Sequence, residues 1–215
     1  MDWQAFGVSL QLGLCTTLIL LFIGLPFAAG LVFGRWPFRR VIETVFSLPI
    51  VLPPTVLGFY LLVFLSPNGP AGKHYSTFTD GQILPFSFIG ILIGSIVYCF
   101  PFAFQSFIDG FSAIDRNYLE AARALGATPV KTFFLVILPM AKRSILTGMI
   151  LAFAHTLGEF GIVLMLGGNI PGQTRTLSVA IYDEVQTMNY QSAHHASLIL
   201  IGISFLILWT LRKRI

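Results

Sequence analysis

Charged side chains are scarce in this sequence: they make up 10% of 215 residues, against roughly a quarter in ordinary soluble domains. The scarcity is uneven. Segments 3–34, 44–72, 81–108 and 185–211 contain no Asp, Glu, Lys or Arg, and 144–166 contains Glu159 alone. Runs of this length exclude a soluble fold, whose core helices are shorter and amphipathic. Cysteine is nearly absent as well. Cys15 and Cys99 both sit inside apolar runs, so neither a disulfide framework nor a paired-cysteine metal spacing exists. No Gly-x-x-x-x-Gly-Lys-Ser/Thr phosphate loop occurs; the nearest glycine run, 167–172, has no lysine. There is no nucleophile, base and acid grouping of the kind a membrane enzyme needs, and the few histidines are scattered. His194 and His195 are adjacent, point to different helix faces, and read as boundary anchors rather than metal ligands. The first apolar run is not an obvious signal peptide, since nothing basic precedes it and it exceeds the usual apolar core.

What is present is apolar length. Crossing a bilayer as a helix takes roughly 20 apolar residues at about 1.5 Å each. The five runs therefore predict an all-α membrane protein with about five transmembrane helices, over 8–33, 41–65, 86–108, 144–166 and 193–211, in a single domain 1–215. Eleven of the thirteen basic residues fall on one side of this arrangement: Arg35, Arg39 and Arg40 in the first connection, Arg116, Arg123, Lys131, Lys142 and Arg143 between the third and fourth spans, and Arg212, Lys213 and Arg214 in the tail. Only Lys73 and Arg175 lie opposite. Basic loops stay cytoplasmic, so the N-terminus is expected outside and the C-terminus inside. The net charge of +4 then belongs to loops at a bilayer surface and calls for no nucleic-acid partner.

Prolines mark the second span. Pro49, Pro53 and Pro54 remove amide donors and clash with preceding carbonyls. Backbone freed at membrane depth survives only against protein or a watery cavity, and transporters build pathways from such broken helices; a simple packed kink is the alternative. Segment 66–85 reads as an outer loop. Segment 167–192 is also outside, with a turn over 167–172 and a short surface helix over 176–185.

The segment 109–143 is too long and too well punctuated for a plain connector. Asn117 is expected to cap a helix over 118–125, with Glu120 answering as in a capping box. Gly126 supplies the left-handed residue that ends it. Thr128 caps a second helix, with Pro129 at its first position, ending before Pro139. Two short helices under the membrane fit either a docking knob for a partner protein or an interfacial helix anchored to lipid. In the docking reading, Ala121 and Ala122 allow close approach while Glu120 and Arg123 set register by charge.

Glu120-Ala121-Ala122, then Gly126, then Ile137-Leu138-Pro139 resembles the EAA motif of ATP-binding-cassette importer permeases. Leu52-Pro53-Pro54-Thr55-Val56-Leu57-Gly58, Leu157-Gly158-Glu159-Phe160-Gly161 and Pro171-Gly172-Gln173-Thr174-Arg175-Thr176-Leu177, followed by Ala180-Ile181-Tyr182, are similar to the molybdate importer permeases, with sulfate and tungstate permeases related. Ile162-Val163 stands where smaller residues are expected. The resemblance covers most of the chain and implies a type I importer permease fold. It implies that Glu120, Ala121, Ala122, Arg123, Leu125 and Gly126 couple the chain to a separate ATPase. It further implies a homodimer paired with two cytoplasmic ATPase subunits, which carry ATP and Mg, and an extracytoplasmic oxyanion-binding protein. No cofactor is expected on this chain, and no enzymatic activity. A channel or carrier without an ATPase is the rival from another class.

Pro49, Pro53, Pro54, His155 and Glu159 are pathway or gate candidates. Glu159 is the one acidic residue within a span, where ionisable groups face a bundle interior or cavity. His155, four residues earlier, is expected to share its helix face and a polar site. A carboxylate repels an oxyanion, so a structural role suits Glu159 better than ligation. Gln173, Thr174, Arg175 and Thr176 are outer-loop candidates for contact with the binding protein; Arg175 can equally cap the following helix.

Overall fold

Long apolar runs in a chain of this composition can satisfy their backbone only as helices, and helices are what form. The computed structural model describes residues 2–34, 36–79 and 81–214, with side chains described through Thr210. Arg35, and the side chains of Arg212, Lys213 and Arg214, lie outside the described residues. The elements are α1 (Trp3–Phe33), α2 (Arg39–Val51), α3 (Pro54–Leu65), α4 (Pro70–Phe78), α5 (Phe88–Ser112), α6 (Arg116–Ala124), α7 (Pro129–Thr132), α8 (Leu138–Gly158), α9 (Gly161–Gly167), α10 (Leu177–Gln186) and α11 (Tyr190–Arg214). A π-helical turn, Phe133–Ile137, joins α7 to α8.

Four of the predicted spans contain a helix long and apolar enough to cross a membrane, namely Trp3–Phe33, Phe88–Ser112, Pro129–Gly158 and Tyr190–Thr210. The second span is α2 plus α3, bent by 111°. Its break falls at Leu52 and Pro53, both extended, and Pro54 starts the new helix at a position where its missing N–H costs nothing. The choice between a broken helix and a packed kink is thus decided for the break.

Several boundaries differ from expectation. α1 begins at Trp3 rather than near residue 8, because the Asp2 carboxylate accepts the Ala5 N–H at 2.9 Å. The outer loop 66–85 contains a helix, α4, which Pro70 initiates. The second cytoplasmic helix does not end before Pro139. The Leu138 N–H bonds the Phe133 carbonyl, five residues back, and this wider turn relieves the clash that Pro139 would otherwise make with the preceding turn. The fourth span is itself broken, since α8 stops at Gly158 and α9 restarts at Gly161.

α1, α5 and α8 pack as the central trio. One apolar cluster, around Phe104, Phe107, Phe111 and Ile145, fills the end that carries the basic loops. A second, around Leu12, Ile91, Ile162 and Leu166, fills the opposite end and holds α3 against α9. An aromatic chain, Phe27 to Phe46 at 5.1 Å and Phe46 to Phe100 at 4.8 Å, fastens α2 to α1 and α5. Lipid-immersed helices gain little from burying apolar surface and rely on close approach of small residues. α8 offers Ser144, Gly148 and Ala152 at four-residue spacing, and a Cβ on Gly148 would come within 2.9 Å of the Ala103 carbonyl oxygen on α5. Bulky Ile162 is accommodated because α5 places Gly94 opposite it.

Gly148→Ala is expected to destabilise the detergent-solubilised protein by about 1–3 kcal/mol, because a backbone atom cannot rotate away. Gly202→Ala, in open space on α11, is expected to leave the thermal unfolding midpoint unchanged. Equal midpoints for the two variants in a melting experiment would disprove the close-packing account.

Candidate functional site: two broken spans and a helical knob

Breaking a helix inside a membrane strands backbone groups that must find partners locally. In span four the strand-off begins at Gly158 and Glu159, where Glu159 is extended (φ −69°, ψ 128°). α10 returns to supply the repair. Ser178 Oγ donates to the Leu157 carbonyl at 2.9 Å, and the Leu177 N–H donates to Ser9 Oγ on α1 at 2.7 Å. At the far end of α9, Thr174 Oγ1 donates to the Gly167 carbonyl at 2.6 Å and accepts the Ile170 N–H at 3.2 Å. The two breaks adjoin, since Pro54 packs against Gly161.

The pathway candidates separate under this geometry. Pro49 is buried, Pro54 half-buried and Pro53 exposed. Glu159 and His155 are not brought together. The helix ends between them, so four-residue spacing no longer puts both side chains on one face. His155 is exposed and stacks on Phe102 with ring centroids 3.7 Å apart. Glu159 is 4% exposed, and neither carboxylate oxygen has a hydrogen-bond partner. Ser95 on α5 faces it, but the pair does not reach hydrogen-bonding geometry. Close by, Cys99 Sγ meets Thr156 Oγ1 at 3.3 Å. With Thr16 and Thr17, also buried and unpartnered on α1, these residues form the polar part of the interior. They were missed from sequence because small hydroxyls in apolar runs carry no distinctive spacing.

The outer-loop candidates divide in the same way. Thr174 and Thr176 are buried, Gln173 is exposed, and Arg175 is held between Asp183 (2.7 Å) and Asp2 (3.4 Å). Arg175 thus ties the start of α1 to α10. The expected short helix is present as α10, and it packs on α1, α8 and α11.

On the basic end, α6 is a rigid knob with different chemistry from that expected at its start. Asp115, not Asn117, is the cap: its Oδ1 accepts the Asn117 N–H at 2.9 Å. Aspartate two residues earlier outcompetes because its carboxylate also engages the Asn117 side chain, at 3.3 Å. Glu120 makes no reciprocal capping bond. The other end is as expected. Gly126 has φ +78°, and the bonds Gly126 N–H to Arg123 carbonyl and Ala127 N–H to Ala122 carbonyl close a Schellman motif. Thr128 caps the next helix through the Lys131 N–H at 3.4 Å. Ala122 is buried, Ala121, Glu120 and Arg123 are exposed, and Leu125 stands out at 88% exposure. A large apolar side chain so displayed on a rigid turn is suited to insertion into a partner.

An unpaired, buried carboxylate is a cost in the conformation described and requires a compensating role. Glu159→Leu is expected to raise the thermal unfolding midpoint, because it removes an unsatisfied polar group, while lowering substrate uptake at least tenfold. Glu159→Gln is expected to retain most uptake. Wild-type uptake by the Leu variant would remove any polar role for this side chain. Separately, Thr174→Val is expected to destabilise by about 1–3 kcal/mol through two broken hydrogen bonds, with Thr174→Ser restoring the midpoint.

Comparison with known proteins supplies the family. Residues 20–215 match the model of the "Binding-protein-dependent transport system inner membrane component". The molybdenum transport system permease protein of Azotobacter vinelandii is 45% identical over 98% of this chain and 92% of its own length. A probable sulfate transport system permease protein of Chlorokybus atmophyticus is 32% identical over 96% of this chain and 71% of its own. Among solved structures, a bacterial alginate ABC transporter in complex with an alginate pentasaccharide-bound periplasmic protein matches with a TM-score of 0.78 at 17% identity, over 97% of this chain and 76% of that one. The fold is that of the type I ABC importer permeases, and the chain belongs to the inner membrane components of binding-protein-dependent transport systems.

Proposed function

We propose that this chain is the transmembrane permease of an importer that moves molybdate across the inner membrane by alternating access. The observation that carries the reading is α6: a capped, Schellman-terminated helix displaying Leu125 on the basic end, in a chain 45% identical to a molybdenum transport permease. The permease works as a homodimer. ATP and Mg are handled by two separate cytoplasmic ATPase subunits docked on α6, and an extracytoplasmic oxyanion-binding protein delivers the substrate. The chain itself carries no cofactor and performs no hydrolysis, and residues 1–215 act as one domain.

The physical logic is that of a two-state element biased by its ligands. ATP draws the ATPases together and displaces α6. α7, the π turn and α8 form one continuous helical column from Pro129 to Gly158, so displacement passed through the capped turn after α6 is carried along that column to the Glu159 break. α3 and α9, held together by their own apolar cluster, move as the outer gate. Gln173 remains accessible for the binding protein, whereas Arg175 acts first as an internal tie.

Sulfate is the second reading, supported by the 32% identity to a sulfate permease. Competition decides between them: molybdate uptake is expected to be suppressed by unlabelled molybdate far more than by sulfate. Leu125→Asp, or Gly126→Val, which forces a β-branched residue into the left-handed region at about 1–2 kcal/mol or more, is expected to abolish copurification of the ATPase and uptake while leaving permease levels in the membrane intact. Uptake that persists without any ATPase would refute the reading.

A further inference from the structure

At the basic end, a cavity of about 640 Å³ lies between the inner ends of α1 and α5, the start of α2, and the inward face of α6. Its lining is mixed: Val32, Phe33, Phe111 and Ile137 give it an apolar side, and Arg39, Arg116 and Arg123 line it together with a single acid, Glu120. Among the described residues, two of the three guanidinium groups have no carboxylate partner. Arg39 gives its Nε to Glu43 at 2.7 Å, whereas Arg116 and Arg123 form no ion pair there. The nearby acids are committed elsewhere, Asp115 to the α6 cap and Asp109 to the Gln105 amide. α6 therefore has two faces: Tyr118, Ala121 and Leu125 are exposed away from the bundle, whereas Arg116, Leu119, Glu120 and Arg123 follow one helical stripe along the cavity.

We propose that this cavity binds an anionic phospholipid of the cytoplasmic leaflet, its phosphate on Arg39, Arg116 and Arg123 and its acyl chain along the Phe33–Phe111 wall. Charge and shape argue together. A free oxyanion would be served by the arginines but leaves the apolar wall unused, and basic pockets between helices on the cytoplasmic side are where lipid headgroups settle. Guanidinium forks match phosphate oxygens in pairs. The lipid would brace the inward face of α6 against α1 and α5, leaving the Leu125 face free for a partner.

The test uses the complete transporter, permease with its ATPase, reconstituted in vesicles of phosphatidylcholine and phosphatidylglycerol, extracted in mild detergent, and weighed by native mass spectrometry. Phosphatidylglycerol is expected to be retained in preference to phosphatidylcholine. The Arg39→Gln/Arg116→Gln pair is expected to cut that retention roughly tenfold with the ATPase still attached, and Arg39→Lys/Arg116→Lys to restore part of it. If the double variant aggregates, Arg116→Gln alone, in the exposed first turn of α6, carries the comparison. Equal retention of both lipids, unchanged retention in the variant, displacement by inorganic phosphate or molybdate, or exclusion of the lipid whenever the ATPase is bound would each overturn the proposal. Loss of ATPase docking in Leu125→Asp with phosphatidylglycerol still retained would leave it standing, so the two readings fail separately.

Discussion

A hydrocarbon layer gives a broken helix nothing to bond with, and this constraint organises most of the molecule. Two of the five spans are interrupted, and each interruption is repaired by chemistry imported from elsewhere in the chain. Pro54 repairs the first by needing no donor partner of its own. The second is repaired by Ser178, while Thr174 closes the far end of α9; both come from the segment that follows. That segment in turn is held by Ser9 and by the Arg175 bridge to Asp2 and Asp183. The outer segment is thus a structural part of the bundle, and its Thr174 is spent on the backbone.

The buried carboxyl group escapes repair. Glu159 sits at the break with both oxygens unpartnered, beside Ser95, Cys99 and Thr156. A protein free to choose an apolar residue there would gain stability, so retention of a carboxylate fits a second arrangement of the bundle in which it is solvated or paired. The continuous column from Pro129 to Gly158 ends at this residue. It begins directly after the capped turn that follows α6, so the column spans from that turn to the Glu159 break.

The elements differ in how legible they were. Spans one, three and five needed only apolar length, which the membrane requires whatever the neighbours do. Gly126, Thr128 and Pro129 were legible because cap and turn chemistry is local, resting on φ and on side chains within four residues. Asn117 misled because Asp115, two residues earlier, starts the helix there and takes the Asn117 N–H as its own capping donor. Pro139 misled because a π turn is a rare alternative to ending a helix. The pairing of His155 with Glu159 assumed that α8 continues, and nothing local announces that Gly158 stops it. The small-residue stripe on α8 was present in the sequence yet carried no direction until α5 was placed opposite.

By itself, then, the order of residues determined helicity, the number of apolar spans, the charge asymmetry between their two ends, and the capped turn around Gly126, since each follows from solvent or from near neighbours along the chain. Tertiary structure alone decided that span four breaks at Glu159, that Arg175 is an internal tie, that Thr174 serves the backbone, and that Arg116 and Arg123 share a cavity with Arg39. Those outcomes depend on contacts between segments from 8 to more than 160 residues apart, and such contacts exist only once the helices have packed.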